Sequence, residues 1–338
     1  MNPLVPLKRL LIAIPTLLGV GVVVFVLMRV VPGDPIAMMI APGASEQDIQ
    51  NMRAMYGLDK SIAQQFFIWL GEVVQGRFGT SITFRQDVLA LVGERLPATL
   101  ELGGVAMLLA VLMGGGAGLW SAARDNSWLS HFVDALVAVV QSIPDFLWGL
   151  MLILLFGVLL PWLPISGRID PGLSQQAGSG FLLIDSVLHG RVALVQSLLL
   201  YMLAPALSLA LPVAAMLARV LKASMQEALS SDYVMLARLK GMSHAHVLLV
   251  EALPNAITPT LSLSAVQFAF ILGGTVLIER LFSYPGIGSL AIDAVIGRDL
   301  PLIQAIVLTF ALLFIAINIL VDVLVVVLNP RLRGTPSL

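Results

Sequence analysis

A chain of 338 residues in which 58% are hydrophobic and only 12% are Asp, Glu, Lys or Arg has too few charges to cover a soluble globule, so its composition is that of a membrane protein. The formal net charge is −1, and no Lys/Arg cluster or basic stripe occurs anywhere, which leaves nucleic acid without a binding surface. The absence of cysteine excludes a disulfide framework, thiolate metal sites and a cysteine nucleophile.

A bilayer core about 30 Å thick takes roughly 20 apolar residues at 1.5 Å of helical rise each. Six stretches qualify, at 10–31, 98–123, 132–160, 198–221, 261–281 and 302–328, and they predict an all-α integral membrane fold with six transmembrane helices. The first exceeds a signal-peptide apolar region and is followed by "RVVPGDP" rather than small residues, so it reads as a retained helix. Residues 32–97 combine turn signals ("PGDP", "APGAS") with a helix-like piece, started by Ser45, Glu46 and Asp48 and stopped by Gly57, which predicts a small extracytoplasmic subdomain between helices 1 and 2. The organisation is therefore 1–31, first span; 32–97, subdomain; 98–328, core; 329–338, tail.

Helix breakers punctuate the core: Gly114 to Gly116 in the second span, Pro144 in the third, Pro205 and Pro212 in the fourth, Gly273 and Gly274 in the fifth. They suit either close helix packing or hinges for a gate. The second outer loop, 161–197, is rich in Gly, Ser and Pro and reads as irregular. No internal repeat is visible. With the N-terminus cytoplasmic, the inner segments carry Lys8, Arg9, Arg124, Arg219, Lys222, Arg238, Lys240, Arg331 and Arg333, against Arg168, Arg191, Arg280 and Arg298 in the short outer loops. The positive-inside rule then puts both termini in the cytoplasm.

The loop at 222–258 is long for a connection. "SSDYVMLARLKG" has helix-starting Ser and Asp and ends at Gly241, suited to the left-handed residue that stops a helix; a second short helix starts at Ser243 and is limited at Pro254. Its apolar residues, among them Tyr233, Leu236, Val247 and Leu248, stand between nearly balanced charges, as on a docking surface. The alternative is an amphipathic element resting on lipid headgroups. Polar residues at membrane depth are functional candidates because burying them in lipid is costly. Gln141, Ser142 and Asp145 flank Pro144, and Gln267 lies mid-span. They suit a path for a peptide backbone, with Asp145 meeting a positive amine, or else helix–helix hydrogen bonding. Asn318 and Asp322 share a helix face.

These strings resemble the ATP-binding-cassette importer permeases. Their cytoplasmic loop follows E-A-A-x3-G-x9-I-x-L-P; with its Gly on Gly241, Ala237, Leu253 and Pro254 match, while Met235, Leu236 and Glu251 replace Glu, Ala and Ile. "DYVMLARLKG" is similar to loops of the dipeptide, oligopeptide and nickel branch, and "VPGDP", "GLDK", "GRFGTSI", "RLPATLEL", "FSYPGIG" and "NPRLR" look like further landmarks of that branch, in order along the chain. The resemblance implies a type I importer permease in a bacterial or archaeal inner membrane. It implies a second homologous permease subunit, two ATPase subunits that bind the ATP and Mg, and an extracytoplasmic solute-binding protein as partners. It implies a coupling role for Ala237, Gly241, Leu253 and Pro254, with Tyr233, Arg238 and His244 beside them. Di- or oligopeptides are the implied cargo, with nickel or another small solute as the alternative.

The chain itself has no G-x4-G-K-[ST], so it is not an ATPase and carries no cofactor of its own. His244 and His246, two apart, point to different helix faces and make no metal site. An ion-coupled carrier would show broken helices with paired acids or a repeated half, and an intramembrane enzyme a nucleophile with its base; neither pattern is present.

Overall fold

The computed structural model describes residues 4–30, 45–47, 50, 59–125, 127–173 and 178–328, with side chains at 13–26 and, beyond that, up to residue 320. The described residues are almost entirely helical. Helix α1 is Leu4–Val30, α2 Ile62–Val74, α3 Val88–Ala123, α4 Trp128–Ser142 and α5 Asp145–Leu152, the last extended by a π-helical stretch, Ile153–Leu159. Then follow α6 (Leu182–Leu188), α7 (Val192–Leu229), α8 (Asp232–Leu239), α9 (His244–Leu281), α10 (Ile287–Ile296) and α11 (Leu300–Leu328).

Local chemistry sets the starts. Ser61 and Gln64 form a reciprocal capping box on α2, Asp87 accepts from the Ala90 N–H at 2.9 Å on α3, and Ser127 from the Ser130 N–H at 3.1 Å on α4. α3 and α7, with 36 and 38 residues, are each over 50 Å long at the helical rise, so both outrun the hydrocarbon and project beyond it.

The bundle is organised around the α3–α7 seam. Ala98, Leu102, Ala106 and Ala110 of α3 meet Met202, Ala206, Leu209, Ala210, Ala214 and Leu217 of α7, with Ile271 and Ile278 of α9 closing the third side. Lipid tails are as apolar as these side chains, so the seam is held by close backbone approach rather than by expulsion of water. A Cβ on Gly118 would lie 2.7 Å from the Ala218 carbonyl oxygen, and one on Gly114 would overlap the Ala214 carbonyl. Gly115 and Gly116 have nothing near them. One of the predicted breakers, Gly114, is thus a packing residue, and Gly118, four residues on along the same face, is another.

Among the described residues four helices are long and apolar enough to cross a membrane, five if the bent pair α4–α5 is one span, against the six expected from the sequence. Several boundaries differ from the sequence expectation. The stretch at 132–160 is not one rod: α4 and α5 meet at 100°, because Ile143 and Pro144 are extended and Pro144 cannot continue the helix of α4. Pro205 and Pro212 lie inside an unbroken α7, and α3 begins ten residues before the predicted span, with Pro97 inside it. The loop at 222–258 is mostly helix, since α7 runs to Leu229 and α9 starts at His244. Pro254 does not end the second helix. A π-helical stretch, Val247–Ala252, widens the backbone just ahead of it, where the missing N–H and the ring would otherwise strain a regular turn, and the helix continues to Leu281. Residues 161–197, read as irregular, contain α6 and the start of α7. Much of the predicted helix from Ser45, together with Gly57, lies outside the described residues.

Candidate functional site

At one end of the bundle α8 is folded back across α7 and α9. Val234 and Ala237 are buried against Leu221, Met225 and Ala228 of α7 and Val247, Leu248, Ala252 and Ala256 of α9. Ala237 is 4% exposed, so the position takes only a small residue. The helix stops in a full Schellman motif: the Met242 N–H donates to the Ala237 carbonyl at 3.3 Å and the Gly241 N–H to the Arg238 carbonyl at 3.0 Å. Gly241 has φ +77°, the left-handed value its sequence position suggests, and the space around it is open. Ser243 then caps α9 by accepting from the His246 N–H at 3.3 Å.

This hairpin presents Tyr233, Met235, Leu236 and Leu239 outward, with Leu239 at 76% exposure and Arg238 and His244 exposed beside them. Leu253 is half-buried against the same cluster and Pro254 is exposed. His246 Nε2 lies 3.7 Å from Glu251 Oε1. Among the described residues no group of three metal-ligating side chains forms. A polar knot ties the base of this end together: Lys222 Nζ donates to Asp134 Oδ2 at 2.6 Å and to Ser130 Oγ at 3.0 Å, and Ser130 Oγ pairs with Ser121 Oγ at 2.8 Å. It joins α7, which carries α8, to α4, which leads into the 100° bend.

The bend gathers three of the four predicted path residues. Ser142 Oγ donates to the Ala138 carbonyl at 2.8 Å, and the buried Gln141 Oε1 accepts no hydrogen bond. Asp145 opens α5, accepts from the Phe146 N–H at 2.7 Å and turns its other oxygen toward α9, 3.1 Å from where a Cβ on Gly274 would stand. Gln267 lies about two turns along α9 from Gly274, and its amide donates to Met216 Sδ at 3.0 Å rather than to the bend. Asn318 donates to the Phe314 carbonyl at 2.7 Å within its own helix, and the Asp322 side chain is outside the described set.

At the opposite end the sequence reading missed three buried carboxylates. Glu101 pairs with Arg168 at 2.6 Å and accepts from the Leu183 N–H at 2.8 Å, fastening Arg168 and the start of α6 onto α3. Glu279 accepts from Thr99 Oγ1 at 2.7 Å and from the Ser289 N–H at 2.9 Å, while Thr99 accepts from the Ile287 N–H at 2.8 Å. Gly286 is indispensable here because any Cβ would occupy the place of the Glu279 carboxylate. Asp299 accepts from Ser81 Oγ at 2.5 Å and from the Thr83 N–H at 2.9 Å. The strings "RLPATLEL" and "FSYPGIG" thus meet in space through Thr99 and Ile287, while Ser81 of "GRFGTSI" reaches Asp299. The available signal was Glu101, the single charge in its apolar span, and Glu279, a carboxylate near the end of its span followed only by Arg280.

Long apolar helices with a capped hairpin packed on two of them at one end are the architecture of a membrane transport subunit. The chain belongs to the binding-protein-dependent transport system inner membrane components: that family matches residues 114–334, and the corresponding N-terminal family of membrane components matches 4–103. It is 40% identical over 329 residues, 96% of this chain and 97% of the relative, to the di/tripeptide transport system permease protein DppB of Pseudomonas aeruginosa. It is 38% identical to the glutathione transport system permease protein GsiC of Escherichia coli K12, covering 97% of this chain and 98% of that one. It is 35% identical to the probable peptide ABC transporter permease protein y4tP of Sinorhizobium fredii. The fold is shared with an inward-facing crystal form of the MetNI methionine ABC transporter, with a TM-score of 0.56 at 15% identity over 71% of this chain and 97% of that one. The chain is a permease component of an ATP-binding-cassette importer, of the dipeptide and oligopeptide branch.

Proposed function

We propose that this permease passes di- or oligopeptides, paired with a second homologous permease, two ATPase subunits on its cytoplasmic face and a solute-binding protein outside. The observation that carries the reading is the α8 hairpin: a short helix seated on α7 and α9, locked by a Schellman turn, with an apolar outer face. A cleft on an ATPase subunit gains a rigid handle on two membrane helices at once. Closure of the ATPases on ATP then moves α8, and with it α7 and α9, so that access alternates between the two sides. The Lys/Arg distribution supports a cytoplasmic hairpin and cytoplasmic termini. The division into 1–31, 32–97, 98–328 and 329–338 follows the same orientation. Relatives named for di/tripeptides, peptides and glutathione favour peptide cargo over nickel.

Replacing Gly241 by valine tests the hairpin. A β-branched residue at positive φ costs about 1–2 kcal/mol and reorients the capped end. The variant is expected to insert and assemble normally while peptide uptake falls by about tenfold or more, the change expected from some 1.4 kcal/mol of lost coupling. ATP hydrolysis by the reconstituted complex should lose its stimulation by loaded binding protein. Uptake at the wild-type rate would remove Gly241 from the coupling role.

The path is read through the α4–α5 bend. Gln141 offers a buried acceptor and Asp145 a carboxylate that among the described residues makes no ion pair, a pairing suited to a peptide N–H and a free α-ammonium. Asp145→Asn is expected to slow uptake of peptides with a free amino terminus while leaving N-acetylated peptides and stimulated ATPase activity unchanged. An equal loss for both peptide classes would assign Asp145 to helix packing instead.

A further inference from the structure

We propose that α2 is not part of a water-exposed subdomain but lies in the membrane interface, with Phe67, Ile68 and Val74 among lipid acyl chains. α2 is apolar on both sides. Phe66, Trp69, Leu70 and Val73 form its inward face, and Phe66 edge-on and Trp69 tilted pack against Phe25 of α1 with ring centroids 5.3 and 5.6 Å away. The outward face carries Phe67 at 70% exposure, Ile68 at 46% and Val74 at 79%. A helix that is hydrophobic all round belongs in a protein core or a bilayer, and water on that outward face would be unfavourable.

The contact with α1 sets the depth. Trp69 also lies against Gly21, whose Cβ would meet its ring at 3.5 Å. Counting back from Val30 at the end of α1, Phe25 is about 8 Å and Gly21 about 13 Å along the helix axis. At that level Val22, Val23 and Val26 of α1 are themselves exposed, so the outward face of α2 continues an apolar belt of a membrane-spanning helix. The polar side chains of α2 lie in its first and last turns. Lys60 and Ser61 precede it, Gln64 and Gln65 stand in the first turn, where Gln64 completes the capping box and Gln65 Nε2 donates to the Lys60 carbonyl at 2.8 Å, and Glu72, Gln75 and Arg77 close it, with Arg77 Nε on Glu72 Oε2 at 2.7 Å. Ile62 to Gly71 is free of charge. Thirteen residues give a helix of about 20 Å, too short to cross, so it lies along the leaflet that meets the end of α1.

The chain contains no cysteine, so single-cysteine variants of it can be labelled before assembly with its partner subunits. Spin labels at Phe67→Cys and Ile68→Cys would be read in the complete transporter, in nanodiscs of phosphatidylethanolamine and phosphatidylglycerol. Collisions with oxygen are expected to exceed those with a water-soluble nickel chelate several-fold, with or without binding protein, while a label at Gln75→Cys shows the reverse. A nickel-accessible label at 67 and 68 would overturn the proposal in favour of an aqueous subdomain. Exclusion of both reagents would overturn it in favour of a protein partner. Should the labelled variants fail to assemble, the unmodified transporter in vesicles doped with a diazirine-tailed phosphatidylcholine is expected to yield acyl-chain adducts on residues 62–74; none there, with adducts on α1, would sink the idea.

Discussion

Gly114→Leu is expected to cost the bundle more than about 3 kcal/mol, beyond the usual ~1–3 kcal/mol of core overpacking, because its clash is with backbone and not with a side chain that can turn away. A Cβ at 114 overlaps the Ala214 carbonyl and lies 3.0 Å from both Ala214 Cα and Leu217 Cβ. The only relief is to separate α3 from α7, which forfeits dispersion contacts along the whole Ala-rich seam. Gly115, one residue on, has nothing within 4 Å and supplies the control. In detergent-solubilised protein the unfolding midpoint should fall steeply for Gly114→Leu and hardly move for Gly115→Leu. Equal effects at the two positions would refute the close-packed seam.

Arg168→Ala is expected to lower stability by about 3–5 kcal/mol, the usual result of removing one partner from a buried ion pair. The remaining Glu101 side chain is 3% exposed and keeps only the Leu183 and Ile184 N–H donors, at 2.8 and 3.3 Å. The loss should be local as well as global. Arg168 also donates to the Gly180 carbonyl at 3.2 Å, so the chain around Gly180 loses an anchor and becomes more sensitive to protease. Pairing the change with its neutral complement, Glu101→Gln with Arg168→Met, should recover most of the stability, since no unpaired charge then stays buried. If the double variant is as unstable as Arg168→Ala, the pair's charges are not what holds the segment.

Legibility in the sequence follows the range of the interaction. The turn after α8 was readable from "ARLKGMS" because a Schellman stop depends on one residue tolerating positive φ, and Gly241 supplies it at φ +77°. The hairpin around it, with Ser243 as the next cap, was readable for the same reason. Pro254 was misread because proline as a helix breaker presumes a regular turn before it, and the π-helical Val247–Ala252 removes that premise. The third span was readable as apolar but not as bent. Gly114 and Gly118 looked the same as Gly115 and Gly116 in sequence; only the placement of α7 separates them. Glu101, Thr99, Glu279 and Asp299 went unnamed because their partners lie far along the chain, Glu279 being 180 residues from Thr99.

By itself the sequence determined that this is a helical membrane protein, the capped Gly241 turn and the family it belongs to. All of these depend on composition, helical rise and contacts a few residues apart. Only the tertiary structure decided the 100° bend beside Asp145, the α3–α7 backbone contact, the carboxylate nodes at the far end and the seat of α2 on α1. Those depend on which helices are neighbours, and in a chain where most faces are equally apolar, hydrophobic pattern cannot choose the neighbour; small residues and buried polar pairs do.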